Sequence, residues 1–307
     1  MRPRAKSLAR GCFKEDTSLI QFLNLLINGV VEGLVVALPA LAMTLVMGVN
    51  RFPNAATGDL MTTGAYAAVG IQALGVSSLL GATLLAALCT AVVSVIAYEL
   101  IFKKLARQPM IASLLASIGL GFLLRSTISF FAGHDQRNFS LPIVRAWNFD
   151  GVRLLPSDLN IAAAALLCLI IIFLLLYKTS FGRQLRAVSD NPDLARASGI
   201  RARSLMLGLW LLVGIVSAIG GVLLGMKAVV MPELGWDHLI PAFAAMVLGG
   251  IGSPVGAVLG ALLMCIAQEL SVPLLGPSYK LVLSFSVLAL VLLVRPSGLM
   301  GRTELVR

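Results

Sequence analysis

Charged residues are scarce in this chain, making up 12% of its 307 residues against 58% hydrophobic ones. Too few are present to cover a soluble monomer, which excludes a soluble globular enzyme and points to a polytopic membrane protein. Histidine occurs twice, at His134 and His238, and cysteine four times, at Cys12, Cys89, Cys168 and Cys265. The cysteines are far apart and three lie in apolar runs, so neither disulfides nor a metal site is expected. No G-x-x-x-x-G-K-[ST] loop is present to cradle phosphates, so ATP chemistry would have to come from elsewhere. The basic N-terminus, MRPRAKSLARGCFKED, is followed by no short apolar core with a small-residue cleavage site. A removable signal peptide is therefore not expected.

Apolar sequence is present from end to end. Stretches 19–49, 57–75, 77–101, 110–131, 159–177, 204–226, 239–270 and 279–294 compare with the roughly 20 residues needed to cross a bilayer. No soluble-length gap divides them. The expected fold is all-α, a polytopic integral membrane helix bundle with about 8–10 membrane segments. A single transmembrane domain, 19–296, would lie between a basic cytoplasmic tail, 1–18, and a cytoplasmic tail, 297–307.

The formal charge of +10 needs no nucleic acid to explain it, because Lys and Arg collect in cytoplasmic loops of membrane proteins. Lys103, Lys104 and Arg107 follow the third stretch, and Lys178, Arg183, Arg186, Arg196, Arg201 and Arg203 lie between the fifth and sixth. Two crossings separate these clusters, so both can be cytoplasmic. Single crossings by the first and seventh stretches would leave Arg2, Arg4, Lys6, Arg10 and Lys14, and also Arg295, Arg302 and Arg307, on the outside. Both stretches are about 30 residues, roughly 45 Å as helix, and letting each go in and back repairs both conflicts. Gly29, Gly33 and Pro39 offer breaks in the first; Gly249, Gly250, Gly252, Ser253 and Pro254 do so in the seventh. Re-entrant or discontinuous helices follow, and such backbone is tolerated at depth only when buried in protein or lining a watery cavity. The glycine cluster reads either as a break near a pathway or as close helix packing, since Gly252, Gly256 and Gly260 are four apart.

The most informative polar segment is SFGRQLRAVSDNPDLARASGIRAR, residues 180–203. Asn191 suits a helix cap, Pro192 the first helical position, Asp193 the positive helix end and Gly199 a left-handed stop. These predict a helix of about seven residues, marginal alone in water, so something must hold it. A solvated basic loop at the lipid surface is one reading and a docking helix for a cytoplasmic partner is the other.

The run Gly182 to Ile200 resembles the coupling loop of permeases in branched-chain amino acid type ABC importers. The family pattern G-R-x-x-R-A, an acidic or amide pair, then A-x-x-x-G-I is met by Gly182, Arg183, Arg186, Ala187, Asp190, Asn191, Ala195, Gly199 and Ile200. FAAMVLGGIGSPVGAVLGALL from Phe243, RPSGLMG (Arg295 to Gly301) and the opening INGVVEGLVVALPALAMTLVMGV are similar to further family motifs. The resemblance covers roughly residues 20–302 and is closer to the first of the two permease types. Where the family reads N-F-A-H-G-[DE], this chain has Ala55 in place of Phe and Thr57 in place of His, with Asn54, Ala56, Gly58 and Asp59 matching.

The resemblance implies a permease subunit in the bacterial inner membrane, moving branched-chain or related hydrophobic amino acids or, on the same architecture, urea, short amides or aromatic acids. It implies a second permease subunit, two cytoplasmic ATPase subunits using ATP and Mg2+, and a periplasmic substrate-binding protein. The chain itself would bind no cofactor or metal and have no catalytic residues. Segment 178–203, with Pro192, becomes the coupling loop, where Arg183 and Arg186 pair with the ATPase or anchor at lipid headgroups. Asn54, Thr57, Gly58, Asp59 and the glycine cluster are the pathway or helix-break candidates. Segment 132–158, with Phe139, Trp147 and Phe149, is expected outside, as a platform for the binding protein or an interfacial loop.

Ionisable residues within apolar runs are functional candidates. Glu32 and Arg125 are the clearest, as a structural pair between helices or as path-lining groups. Glu99 and Glu269 lie near stretch ends and are expected to be solvated. Two other classes are open: an ion-coupled secondary transporter, which also uses broken helices, and an intramembrane protease built on Ser253 and His238, which must meet within hydrogen-bond reach. A capped cytoplasmic helix speaks against the first.

Overall fold

The computed structural model describes residues 4–76, 78–140, 145–149, 152–295 and 298–300, with side chains apart from those of 4–19, 148, 149 and 152. The basic side chains expected at the N-terminus, the Phe149 side chain, and most of the tail expected at 297–307 lie outside that description. In chain order come α1 (Arg4–Asn50), α2 (Ala56–Ala73), and α3 (Leu79–Ala97), which runs through a π turn (Tyr98–Phe102) into α4 (Lys103–Leu105). α5 (Met110–Ala132) leads to a hairpin of β1 (Trp147–Phe149) and β2 (Val152–Leu154), paired antiparallel with Trp147 opposite Leu154. α6 (Pro156–Lys178), α7 (Ser180–Asp190), α8 (Pro192–Ala197), α9 (Ala202–Lys227), α10 (Leu234–Gly249), α11 (Pro254–Leu275) and α12 (Lys280–Val294) complete the order.

Among the described residues, seven helices are long and apolar enough to cross a membrane: α1 from Ile20, α3 with α4, α5, α6, α9, α11, and α12 with the preceding turn. α10 is a shorter apolar helix. α2 carries Thr57, Asp59, Thr62 and Thr63, and burial within the bundle shields its polar groups from lipid: the first three are buried.

Hydrogen bonds and ion pairs define the two ends of the bundle. At one, the Asn24 side chain accepts from the Arg153 amide of the hairpin at 3.0 Å, and Arg137 and Val230 exchange backbone bonds. At the other, Glu99 pairs with both Lys103 and Arg203, which brings the two basic clusters together. The amides of Leu299 and Met300 bond to the carbonyls of Leu248 and Gly249 at this same end. Alternating between a hairpin end and a basic end, the described residues make nine helical passes.

The seventh apolar stretch divides as expected, but the first does not. α1 is one continuous helix, with Pro39 inside it. Asn24 lies at the hairpin end, while Gly48 accepts a 2.5 Å hydrogen bond from Ser189 of α7 at the basic end. The in-and-back path expected for 19–49 is therefore absent, and α1 leads back toward the N-terminus from the end opposite the basic segment 178–203. Glycine and proline serve packing in α1. Gly29 and Gly33 lie against the α11 backbone at Ile266 and Leu262, and Pro39 lies against Gly220 of α9. In lipid, helix association depends on such close backbone approach, and neighbouring helices compensate for a proline.

α9 runs through the centre. Its Trp210 is fully buried, stacked on Phe102 at 4.6 Å and on Tyr98 at 5.7 Å, and its carbonyl accepts from the Ser94 hydroxyl at 2.8 Å. Gly214 faces Ala91 and Ser94 of α3, and Gly221 faces the Met61 backbone of α2.

Candidate functional site

At the basic end, segment 178–203 is built from capped helices. The Thr179 hydroxyl caps α7 by accepting from the Gly182 amide. A side chain at Gly182 would collide with the Leu176 carbonyl, so the α6–α7 corner depends on glycine there. Arg186 donates through Nη1 to that same carbonyl at 2.7 Å, with its guanidinium 5.4 Å from the Tyr177 ring centre. The last carbonyls of a helix lack intrahelical donors, and a basic side chain satisfies them well. Arg186 thus has Nη1 engaged within the chain, and Arg183 makes a 3.4 Å contact to the Lys178 carbonyl. α7 buries Gly182, Leu185 and Val188 and leaves Ala187 exposed.

The short helix appears where capping chemistry put it, as the six residues Pro192–Ala197. Asn191 Oδ1 accepts from the amides of Asp193 and Leu194 at 3.1 and 3.0 Å. Gly199, at φ +80°, closes the other end: its amide bonds to the Arg196 carbonyl and that of Ile200 to Ala195. Asp193 and Arg196 pair at 2.6 Å. Ala195 is buried against the bundle, while Leu194 is 65% exposed. Sequence reasoning missed Leu194 because its outward direction depends on how α8 sits on its neighbours. Beside this helix, Phe181, Gln184, Gly199, Arg201 and Ser204 line a hollow of about 370 Å³.

The glycine cluster forms the corner between α10 and α11. Gly250 and Gly252 adopt φ +108° and +83°, and Ser253 caps α11 by accepting from the Gly256 amide. Gly249 and Gly256 meet backbone to backbone, and Gly260 meets Ala245. The corner lies at the basic end, beside Gly48 and under Gly298, so it is a tight turn with close packing and not a break partway along the helices. His238 sits in the first turns of α10 and Ser253 beyond its last, so the protease geometry is absent.

Inside the bundle, Asn54 Oδ1 accepts from the Ala56 amide, the Ala55 amide donates to Ser117, and the buried Thr57 hydroxyl donates to the Asn54 carbonyl at 2.8 Å. Thr57 thus serves the turn that opens α2. Gly58 abuts Gly235 of α10. The next residue, Asp59, accepts from Arg125 Nε at 3.0 Å and Nη2 at 3.2 Å. The guanidinium lies 4.7 Å from the Trp236 ring centre and 5.4 Å from that of Phe122.

The expected Glu32–Arg125 pair does not form. Glu32 lies 3.7 Å from both Lys227 and Lys280. Glu269, expected to be solvated, is buried and paired with Lys280, next to a Gln268–Ser284 hydrogen bond. Desolvation explains both changes: a carboxylate in a packed bundle needs the nearest cation, and helix packing decides which one that is. Among the described residues, no three His, Cys, Asp or Glu side chains converge for a metal.

The family described as branched-chain amino acid transport system / permease component matches residues 25–292. The chain belongs to this family. A high-affinity branched-chain amino acid transport system permease protein of Pseudomonas aeruginosa, BraD, is 29% identical over 302 residues, covering 93% of this chain and 98% of its own. LivH of Salmonella typhimurium, a permease protein of the same description, is 32% identical over 308 residues, covering 93% and 97%. A putative metal-chelate type ABC transporter in an inward-facing conformation has a TM-score of 0.51 at 17% identity, covering 86% of this chain and 85% of that one, a likeness of fold alone. The permease is a multi-pass membrane protein, and the nine passes of its described residues bring segment 178–203 to the basic end.

Proposed function

We propose that this permease is one of two membrane subunits of an ABC importer for branched-chain or related hydrophobic amino acids in the bacterial inner membrane. A second permease subunit, two cytoplasmic ATPase subunits and a periplasmic binding protein complete the assembly. ATP and Mg2+ are used by the ATPase subunits, and this chain has no catalytic step. The substrate class follows the relatives, since BraD and LivH are both named for branched-chain amino acids.

The observation that carries the reading is the mounting of α8. This helix is capped at both ends, stands at the basic end, which the positive-inside rule assigns to the cytoplasm, and presents Leu194 outward between Asp193 and Arg196. The helix before it, α7, is tied to the bundle: Ser189 bonds to Gly48 of α1, and Arg186 bonds to the last turn of α6. A push on α8 therefore reaches α1, which packs along α11 and α9. The test is purification from native membranes in mild detergent, followed by ATP hydrolysis and leucine uptake in vesicles. The expected result is a co-purifying ATPase pair and second permease, with ATP-driven uptake stimulated by the binding protein. A chain that purifies alone and moves solute only under an imposed ion gradient would overturn the reading.

A further inference from the structure

Arg125 spends Nε and Nη2 on Asp59, while Nη1 has no partner among the described residues. The rings of Phe122 and Trp236 flank the guanidinium, so its orientation is held independently of any ligand. Arg125 borders a hollow of about 440 Å³ at the hairpin end, whose other walls are Ser126, Ser129, Phe130, His134 and Glu233. That volume is within the range of small-molecule sites, and the hollow is shallow and widely open to its surroundings. Such a lining does not face hydrocarbon, because charged side chains at membrane depth turn to water or to protein.

The local charges narrow the ligand. Asp59 offsets the charge of Arg125, and Glu233, which makes no ion pair among the described residues, leaves the hollow with a net negative charge. A ligand carrying only a carboxylate would meet two fixed carboxylates. One carrying only an ammonium would leave the Nη1 hydrogens unmatched. We infer that this hollow is a binding station for the zwitterionic head of an α-amino acid, its carboxylate on Arg125 and its ammonium on Glu233, with its apolar side chain against the exposed Phe130. The inference rests on the importer reading and deepens it, since it ties the substrate class to this chain's own residues.

Trp236 provides the readout. In the purified complex without binding protein, leucine is titrated against Trp236 fluorescence, with Trp236→Phe as the control. Two analogues of similar carbon skeleton each lack one charge: 4-methylpentanoate has no ammonium and 3-methylbutylamine no carboxylate. Both are expected to bind at least about tenfold more weakly than leucine, the scale of one lost charged hydrogen bond. Glu233→Gln should weaken leucine by about the same factor and bring it level with 4-methylpentanoate. The double variant Asp59→Asn with Arg125→Gln, which leaves no lone buried charge, should also weaken leucine. Wild-type leucine affinity in both variants, or no leucine-dependent signal in a complex that shows ATP-driven leucine uptake, would overturn the station and leave the importer reading standing. Absence of ATP-driven leucine uptake by the assembled wild type would overturn the importer reading and this inference with it.

Discussion

Asp59 and Arg125 neutralise each other in the bundle interior, with Asp59 almost fully buried. Removing one partner strands the other, which costs about 3–5 kcal/mol, whereas neutralising both leaves amides that can still hydrogen-bond. Asp59→Asn and Arg125→Gln should each lower the melting temperature in detergent markedly, and the double variant should recover most of the loss; additive losses would show that the pair is not coupled. Arg186 and Arg183 offer a second contrast. Arg186→Ala removes a charged hydrogen bond to Leu176 worth about 1.5–3 kcal/mol and should speed proteolysis at the α6–α7 corner. Arg183→Ala, with its weaker contact, should change that cleavage rate little. None of these partners was legible in the sequence. Glu32 was the carboxylate expected for Arg125 and Asp59 was read as a pathway or helix-break residue; the packing of α2 against α5 is what brings Asp59 to Arg125 instead.

The short helix α8 is the element the sequence specified best, because its boundaries depend on neighbours one to three residues away: the Asn191 cap, Pro192, and Gly199. Gly199→Val forces a β-branched residue into left-handed backbone and should cost about 1–2 kcal/mol, read as faster hydrogen exchange across 192–200. Leu194→Asp leaves the caps untouched and puts a charge at the exposed apex. It should reduce co-purification of the ATPase pair and binding-protein-stimulated ATP hydrolysis; normal values for both would remove the docking role. The longer elements show where local reading stops. Glycine and proline stand in both α1 and the α10–α11 run, yet only the second turns. At Gly250 and Gly252 the backbone is left-handed, whereas Gly29 and Gly33 remain helical and accept the α11 backbone against them. Composition alone does not separate a corner from a contact, because both need the missing side chain.

Across the whole molecule, nine passes leave the two ends of the described chain on opposite faces. In a background with Cys12, Cys89, Cys168 and Cys265 replaced, a membrane-impermeant maleimide should label Arg145→Cys in intact cells and spare Arg107→Cys until the cells are broken. A tag before residue 20 should behave like position 145. Equal labelling of both cysteines from outside would refute this arrangement. The same path bears on how the protein is made. The carbonyls of Leu248 and Gly249, near the end of α10, receive their donors from Leu299 and Met300. During synthesis those acceptors are inserted first and wait for α11 and α12 to follow, so the corner beside Gly48 is sealed only once Leu299 and Met300 have left the ribosome.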